Sequence, residues 1–582
     1  MNKSWDGIWE ARTARLDNGW SAEIRIPFAT LNFNPASDTW GVNFQRTIRR
    51  RNEELRWRGW SRDGSLFNPV FAGRMVGLEG LSQGVGLEVT PYAVQNWRTI
   101  ISDEDPTTFP GDVGVDVGYS LTPSLRAAVS INTDFAEVEV DQRRVNLTRF
   151  PQRFPEQRDF FLEGSGVYSF APRSGPSPFF SRRIGLERGE PVPLNYGARL
   201  GGQAGQYELG FMQVGTGEDH GVPSEDFTVA RVKRALFEQS SLGAIYTRRS
   251  TSPDAAGLQA EDQHTAGVDL ELNTRSFLGD KNLEAEAFMV WNSNPEPEVD
   301  RSTQDLGAWG FRVNYPNDIW QSHLSYREFG QAYDPAVGFV TRNDFRRIEP
   351  RIAWAPRPST PWIRQLQFSA QFRYQEGLVS GEVQEREWEL GLMQVTFESG
   401  DFVSLTSKRT FEFLDREFEV SEGIPILPGE YGNWDTTLRF RSAGQRQVSL
   451  NGQVSRGGFW DGDRQRYQAG LTFRPIPGVS ISGEYDLNRV QTPRGDFDTD
   501  LARLNGGWDV SPWASLSSSI QYDTQSDIVG LFGLFRWIVK PGNEIYLVYT
   551  HNWLRTVDDP LDRDFVTLTR GGSVKATYTW RW

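Results

Sequence analysis

The chain ends SVKATYTWRW, residues 573–582. Every second residue from Val574 is apolar: Val574, Ala576, Tyr578, Trp580, Trp582. The others, Ser573, Lys575, Thr577, Thr579 and Arg581, are polar. Two clean sets on alternate positions describe a β-strand with one apolar and one wet face. Soluble strands alternate as well. The gathering of Tyr578, Trp580 and Trp582 at the end of the apolar face raises the question of what that face meets.

The same alternation recurs from residue 84 onward. In LQFSAQFRY (366–374), Leu366, Phe368, Ala370, Phe372 and Tyr374 oppose Gln367, Ser369, Gln371 and Arg373. RYQAGLTFR (466–474), VSISGEYDLN (479–488) and GVDLELN (267–273) repeat the pattern, and helical periodicity is rare. Tight-turn chemistry divides these strands at 121–125, 203–206, 237–241, 278–282, 315–320, 356–362, 398–401, 442–445, 475–480, 509–515 and 539–544. Longer polar connections lie between them. Short turns alternating with long loops are the asymmetry of an outer-membrane barrel. Eleven short turns with a strand on each side make 22 strands, and 84–100 plus the terminal strand bring the count to about 24, with 22 to 26 acceptable.

Composition bounds the alternatives. Of 582 residues, 38% are hydrophobic and 13% aromatic, with 57 Gly and 21 Trp, which fits neither disorder nor an ordinary soluble α/β protein. No run of 18 apolar residues exists to form a transmembrane helix. Cysteine is absent, so disulfides, zinc ribbons and thiol nucleophiles are excluded. A net charge of −14 argues against nucleic acid as a partner. A propeller or a string of sandwiches would also alternate. Here the four-strand blade period is missing, aromatics cluster at the ends of apolar faces, and low hydropathy accompanies a strictly apolar alternate face. The fold class predicted is all-β: a large antiparallel transmembrane β-barrel over 84–582, with lipid as its outer partner.

On this reading the terminal strand closes the barrel. A C-terminal aromatic preceded by alternating hydrophobics resembles the signal by which outer-membrane proteins are read by the barrel assembly machinery. That resemblance assigns Tyr578, Trp580 and Trp582 to the signal, although Trp stands where the signal usually has Phe.

Residues 1–75 differ. WDGIWEA, GWSAEIRIPF, TWGVNFQR and the following RR-x-E-x-x-W suggest three or four strands, and together they resemble the closing half of a family 9 carbohydrate-binding-like β-sandwich. The earlier half and a leader peptide are not in this sequence, so the chain is expected to begin inside a domain. Three or four strands cannot bury two inner faces unaided, so they should pack on the barrel's periplasmic rim or be poorly ordered. Such modules stack aromatic faces on sugars, which the resemblance extends to Trp5, Trp9, Trp20, Trp40, Trp57 and Trp60 as candidate saccharide contacts. Packing within the sandwich is the plainer role for each.

The strand LRAAVSINTDFAEVEVD (125–141) breaks the pattern. Ala127, Val129 and Ile131 are apolar, yet the same face continues as Glu137, Glu139 and Asp141. Carboxylates cannot face lipid tails, so the chain must leave the membrane near Phe135, running above it or folding inward. About 50 residues without a long strand follow, and a loop that long in a regular barrel is usually functional. Phe150, Phe154, Phe160, Phe161, Phe170, Phe179 and Phe180 require burial, and the lumen is the nearest place. Residues 134–190 are therefore a candidate plug or constriction. The candidate plug residues are Asp134, Glu137, Glu139, Asp141, Glu156, Arg158, Asp159, Glu163, Arg182 and Arg183. Glu137, Glu139 and Asp141 could hold a structural Ca²⁺. Asp134 and these three could equally pair with Arg143, Arg144, Arg149, Arg153, Arg158, Arg182 and Arg183, which is the preferred reading. No other cofactor is expected.

INTDFAEVEVDQRRVNLTRFPQRFPEQRDFFLEG, PFFSRRIG and YGARLGG resemble the signature region of a bacterial outer-membrane barrel family of unknown function. Its members carry an N-terminal family 9 carbohydrate-binding-like domain. The resemblance implies an outer-membrane location with that domain in the periplasm, and no particular reaction. His220, His264, His323 and His551 are scattered, and no HExxH, P-loop, GxSxG or dinucleotide fingerprint is present. No catalytic residue is assigned. Binding and passage of a saccharide or related polymer is the leading expectation. A carbohydrate hydrolase would need two close carboxylates in an accessible pocket. A secretion or scaffold barrel would need a filled lumen and a protein partner.

Overall fold

The computed structural model describes residues 7–48, 51–59, 62, 66–101, 107–135, 138, 140–187, 190–219, 221–253, 261–294, 296, 298–559 and 562–582. From Leu87 onward the chain forms one closed ring of 24 antiparallel strands. Each strand pairs with its sequence neighbour, and the ring shuts where Asp562–Thr577 and Trp580–Arg581 pair with Leu87–Ile100. Backbone hydrogen bonds tie the chain end into this seam: Trp582 N–H donates to the Leu87 carbonyl, and Gly86 N–H to that of Trp582, each at 3.0 Å. All eleven tight turns read from the sequence join neighbouring strands.

Burial is inverted relative to a soluble sheet. On strand Val479–Thr492, Ile481 and Tyr485 are exposed, whereas Asp486 and Asn488 are 7% and 5% accessible. Trp309, Phe311, Val313, Leu450, Val454 and Val574 likewise face outward, while Arg231, Asp269, Glu286, Glu349 and Glu387 are buried. Such a surface is stable only against lipid. Exposed Trp320, Trp354, Trp362, Trp508, Trp513 and Trp537 lie at the short-turn end in two arcs, and Trp309, Trp388 and Trp434 lie towards the other. These are interface girdles, where an amphipathic ring has both an apolar and a wet neighbour.

The expected loop asymmetry holds over only part of the ring. On the rim opposite the short turns, connections 217–224, 293–306, 330–344 and 415–428 are long, but 460–461 and 493–494 are two-residue turns. There the strands run on; Gly495–Ser511 and Asn543–Asp559 have 17 residues each. Pairing continued past the membrane needs only a hairpin to close it.

The N-terminal region holds more strands than expected, arranged as three separate pairs: Glu10–Leu16 with Gly19–Arg25, Thr39–Val42 with Gly73–Val76, and Gln45–Ile48 with Glu53–Arg56. It lies across the short turns. Phe33 N–H donates to the Pro123 carbonyl (2.8 Å), Asn68 Nδ2 to Gln239 Oε1 (3.2 Å) and Asn52 Nδ2 to the Glu398 carbonyl (2.9 Å). The short-turn rim is thus its platform.

Candidate functional site

Strand Leu125–Thr133 ends two residues before Phe135, and the chain then turns inward. The segment that follows has two limbs, each seated on a different part of the inner wall.

The second limb is apolar at heart. Phe160, Phe161, Val167, Tyr168 and Ile184 pack on Met212, Val214, Phe227 and Val229, with Phe135 at the edge. Those wall residues face the lumen, because Phe211 and Val232 on the same strands are exposed outside. Phe170 and Ala171 continue the packing onto Ile245, Phe288 and Val290. Arg158 is buried within this limb. It meets Glu156 at 2.7 Å, donates to the Ile184 and Ser181 carbonyls, and stacks on Phe161. Burial alone would raise the Glu156 carboxyl; hydrogen bonds and charge from Arg158 outweigh it and hold the group below its ordinary range. Arg173 meets Glu284 at 3.1 Å, and its backbone N–H points at the Glu286 carboxylate.

The first limb is held chiefly by charge. Arg143 meets Asp523 at 2.7 Å, Arg149 meets Glu412 at 3.0 Å, and Arg503 donates to Gln142. Leu147, with Val145 beside it, adds a smaller apolar contact to Leu414, Ile424 and Val490. Asp523 and Glu286 stand on opposite sides of the ring, so the two limbs together span the lumen.

The predicted internal pairing of acids and arginines is only partly what forms. Asp141 pairs with Arg182, and Glu156 with Arg158. Asp134 reaches Lys575 at 3.6 Å, and Glu163 reaches Arg199, both on the wall. A segment crossing a charged lumen finds its counter-ions on the barrel as readily as on itself. Asp159 opens the short helix Asp159–Leu162, and Arg183 is exposed. Phe160, Phe161 and Phe170 are buried; Phe150, Phe154, Phe179 and Phe180 are partly so. Glu137 and Glu139 lie outside the described residues, and among the described residues no group of three or more acidic or histidine side chains could hold a metal.

A cleft of about 540 Å³ opens between the segment and the long-connection rim. Gln152, Phe154, Phe180, Arg182 and Arg183 line it from the segment; Thr216, Glu225, Arg249 and Phe339 line it from the barrel. Arg249 is paired with Glu225, its Nε 2.7 Å from Oε1. Phe339 belongs to connection 330–344, whose Val337 carbonyl accepts from Phe180 N–H at 2.8 Å. The connections between tight turns are polar by composition, but this one carries the apolar run PAVGFV (335–340), the local signal for a seat inside the barrel.

Among the described residues, no ring contact joins one candidate tryptophan to another. Trp9 and Trp20 are exposed, and Arg46 approaches the ring of Trp20. Trp40 packs on Phe28 and Phe33, Trp57 on Phe44, and Trp5 and Trp60 lie outside the described residues. Tyr578, Trp580 and Trp582 are exposed on the outer face of the closing seam.

A family model described as a domain of unknown function (DUF5916) matches residues 84–195, which hold the first three barrel strands and the lumenal segment. No curated protein matches the chain. Among solved structures, the siderophore receptor PirA from Pseudomonas aeruginosa is similar with a TM-score of 0.41 at 10% identity, over 84% of this chain and 80% of that one. A mutant of the ferric enterobactin receptor PfeA from the same organism, in complex with enterobactin, gives 0.38 at 11%, over 68% and 90%. Pseudomonas aeruginosa OpdK with vanillate gives 0.30 at 8%, over 85% and 99%.

Proposed function

We propose that this chain is a bacterial outer-membrane barrel for binding and gated passage of a saccharide or related polymer, with residues 134–190 as its plug. One observation carries the reading: inside a ring with a lipid-compatible exterior, a single segment is tied to opposite walls. A lumen crossed by one continuous insertion between two strands can open by displacement, without breaking the ring. Bacterial barrels place short turns on the periplasmic side. The N-terminal region, seated on those turns, would then face the periplasm and receive or hand over cargo.

Single-channel conductance in planar bilayers tests this. The intact chain should be closed or nearly so, and deletion of residues 142–190 should open a large, steady pore. If neither form conducts, the passage reading fails and a scaffold role takes its place.

A further inference from the structure

We propose that the cleft at the long-connection rim is a binding site for an organic anion bearing carboxylates. The chain as a whole carries a net charge of −14, yet the described charged residues that line this cleft, Arg182, Arg183 and Arg249 against Asp141 and Glu225, leave one positive charge in excess. Two of its arginines are neutralised, Arg182 by Asp141 and Arg249 by Glu225. Three more are not. Arg183 lines the cleft, exposed, and has no carboxylate partner among the described residues. Arg153 flanks it, its guanidinium 4.8 Å from the Phe180 ring and 6.0 Å from that of Phe339, again without a carboxylate. Arg144 stacks on Phe154 at 5.2 Å and donates to the Arg153 carbonyl, which spends a donor and leaves the charge.

Uncompensated cations beside low-dielectric aromatic faces attract an anion more strongly than the same charges in open water. Arg153 is exposed overall, yet desolvation of its guanidinium lowers its pKa. Stacking on Phe154 and Phe180 orients the guanidinium planes, and the planar fork matches a carboxylate in two parallel hydrogen bonds. A volume of about 540 Å³ suits a ligand of a few rings rather than a bare ion. An acidic sugar unit meets each of these conditions: a carboxylate for the forks, an apolar ring face for the phenylalanines, and hydroxyls for Gln152 and Thr216.

The inference rests on the passage reading only for what happens after capture, so binding is measured separately. The full chain in detergent is titrated calorimetrically with digalacturonate, maltose and inorganic phosphate. Digalacturonate should bind, and more weakly as salt is added; maltose and phosphate should bind at least tenfold more weakly. Arg183→Ala, an exposed site that the fold does not need, should weaken digalacturonate about tenfold, and Arg153→Gln should do likewise. Absence of digalacturonate binding, equal binding of maltose or phosphate, or an unchanged Arg183→Ala overturns the site. Binding without conductance in the deletion variant removes passage and keeps the site; conductance without binding does the reverse.

Discussion

Arg231 and Asp269 meet on the lumenal wall with side chains 0% and 1% accessible, Nη1 to Oδ1 at 2.7 Å. The Ser169 carbonyl and Ala171 N–H of the lumenal segment cover them, accepting from Arg231 and donating to Asp269. Gly243 leaves room for the pair; a Cβ there would stand 2.6 Å from both Nη1 and Oδ1. A buried pair is costly to break and cheaper to replace whole. Asp269→Ala should therefore cost about 3–5 kcal/mol, and Arg231→Met with Asp269→Leu distinctly less, in urea unfolding of the reconstituted barrel. Equal losses would show that the pair's mutual compensation is not what matters. Four described carboxylates outside the strands, Glu156, Asp305, Asp318 and Asp401, are held below their ordinary range and contribute to the acid response. Asp401, hydrogen-bonded by Arg446 and the Ala443 N–H, sits at about 2. Groups depressed in the folded state stabilise it fully above the ordinary carboxylate pKa of about 4 and lose that contribution as pH falls through the folded value. The unfolding midpoint should stay level from pH 8 to 5 and fall below about 4, and Asp401→Asn should flatten part of that fall.

At the scale of the element, the lumenal segment's two limbs are held by different forces. The second has an apolar core, which salt does not weaken; the first depends on Arg143–Asp523 and Arg149–Glu412, which salt screens in part. In high salt, trypsin should cut at Arg143, Arg144, Arg149 or Arg153 well before Arg158 or Arg173, as mass spectrometry of the fragments would report. Phe161 is 2% accessible. Its truncation to Ala should cost about 3–5 kcal/mol of the second limb's seating and, on the proposed gated passage, bring flickering openings to a channel expected to be closed. Uniform cleavage across both limbs, or a quiet Phe161→Ala channel, would mean that the segment moves as one body.

At the scale of the whole molecule, closure is a backbone matter. Trp582 is tied to the first strand through its main chain, while its ring is exposed. Trp582→Ser should change the stability of the purified barrel by less than about 1 kcal/mol. Membrane-inserted yield in cells should fall several-fold, if the aromatic end is what the assembly machinery reads. Comparing unfolding midpoints with outer-membrane yield separates the two; a parallel loss in both would assign the residue to folding alone.

The ring was legible in the sequence because side-chain alternation and turn chemistry are local. Val574 to Trp582 already separate outside from inside, and eleven turns nearly count the strands. The inward fold of residues after Phe135 was half legible: Glu137, Glu139 and Asp141 on a lipid-side parity forbade a membrane path without choosing between above and within. Partners were not legible. Nothing local says that Arg143 meets Asp523, that Glu163 leaves its own segment for Arg199, or that PAVGFV swings in to complete a cleft. Alternation is set by the geometry of a single strand. Which charges neutralise one another across a lumen, and which arginines are left over to bind something else, is set only when the ring closes and brings distant residues within a few ångströms.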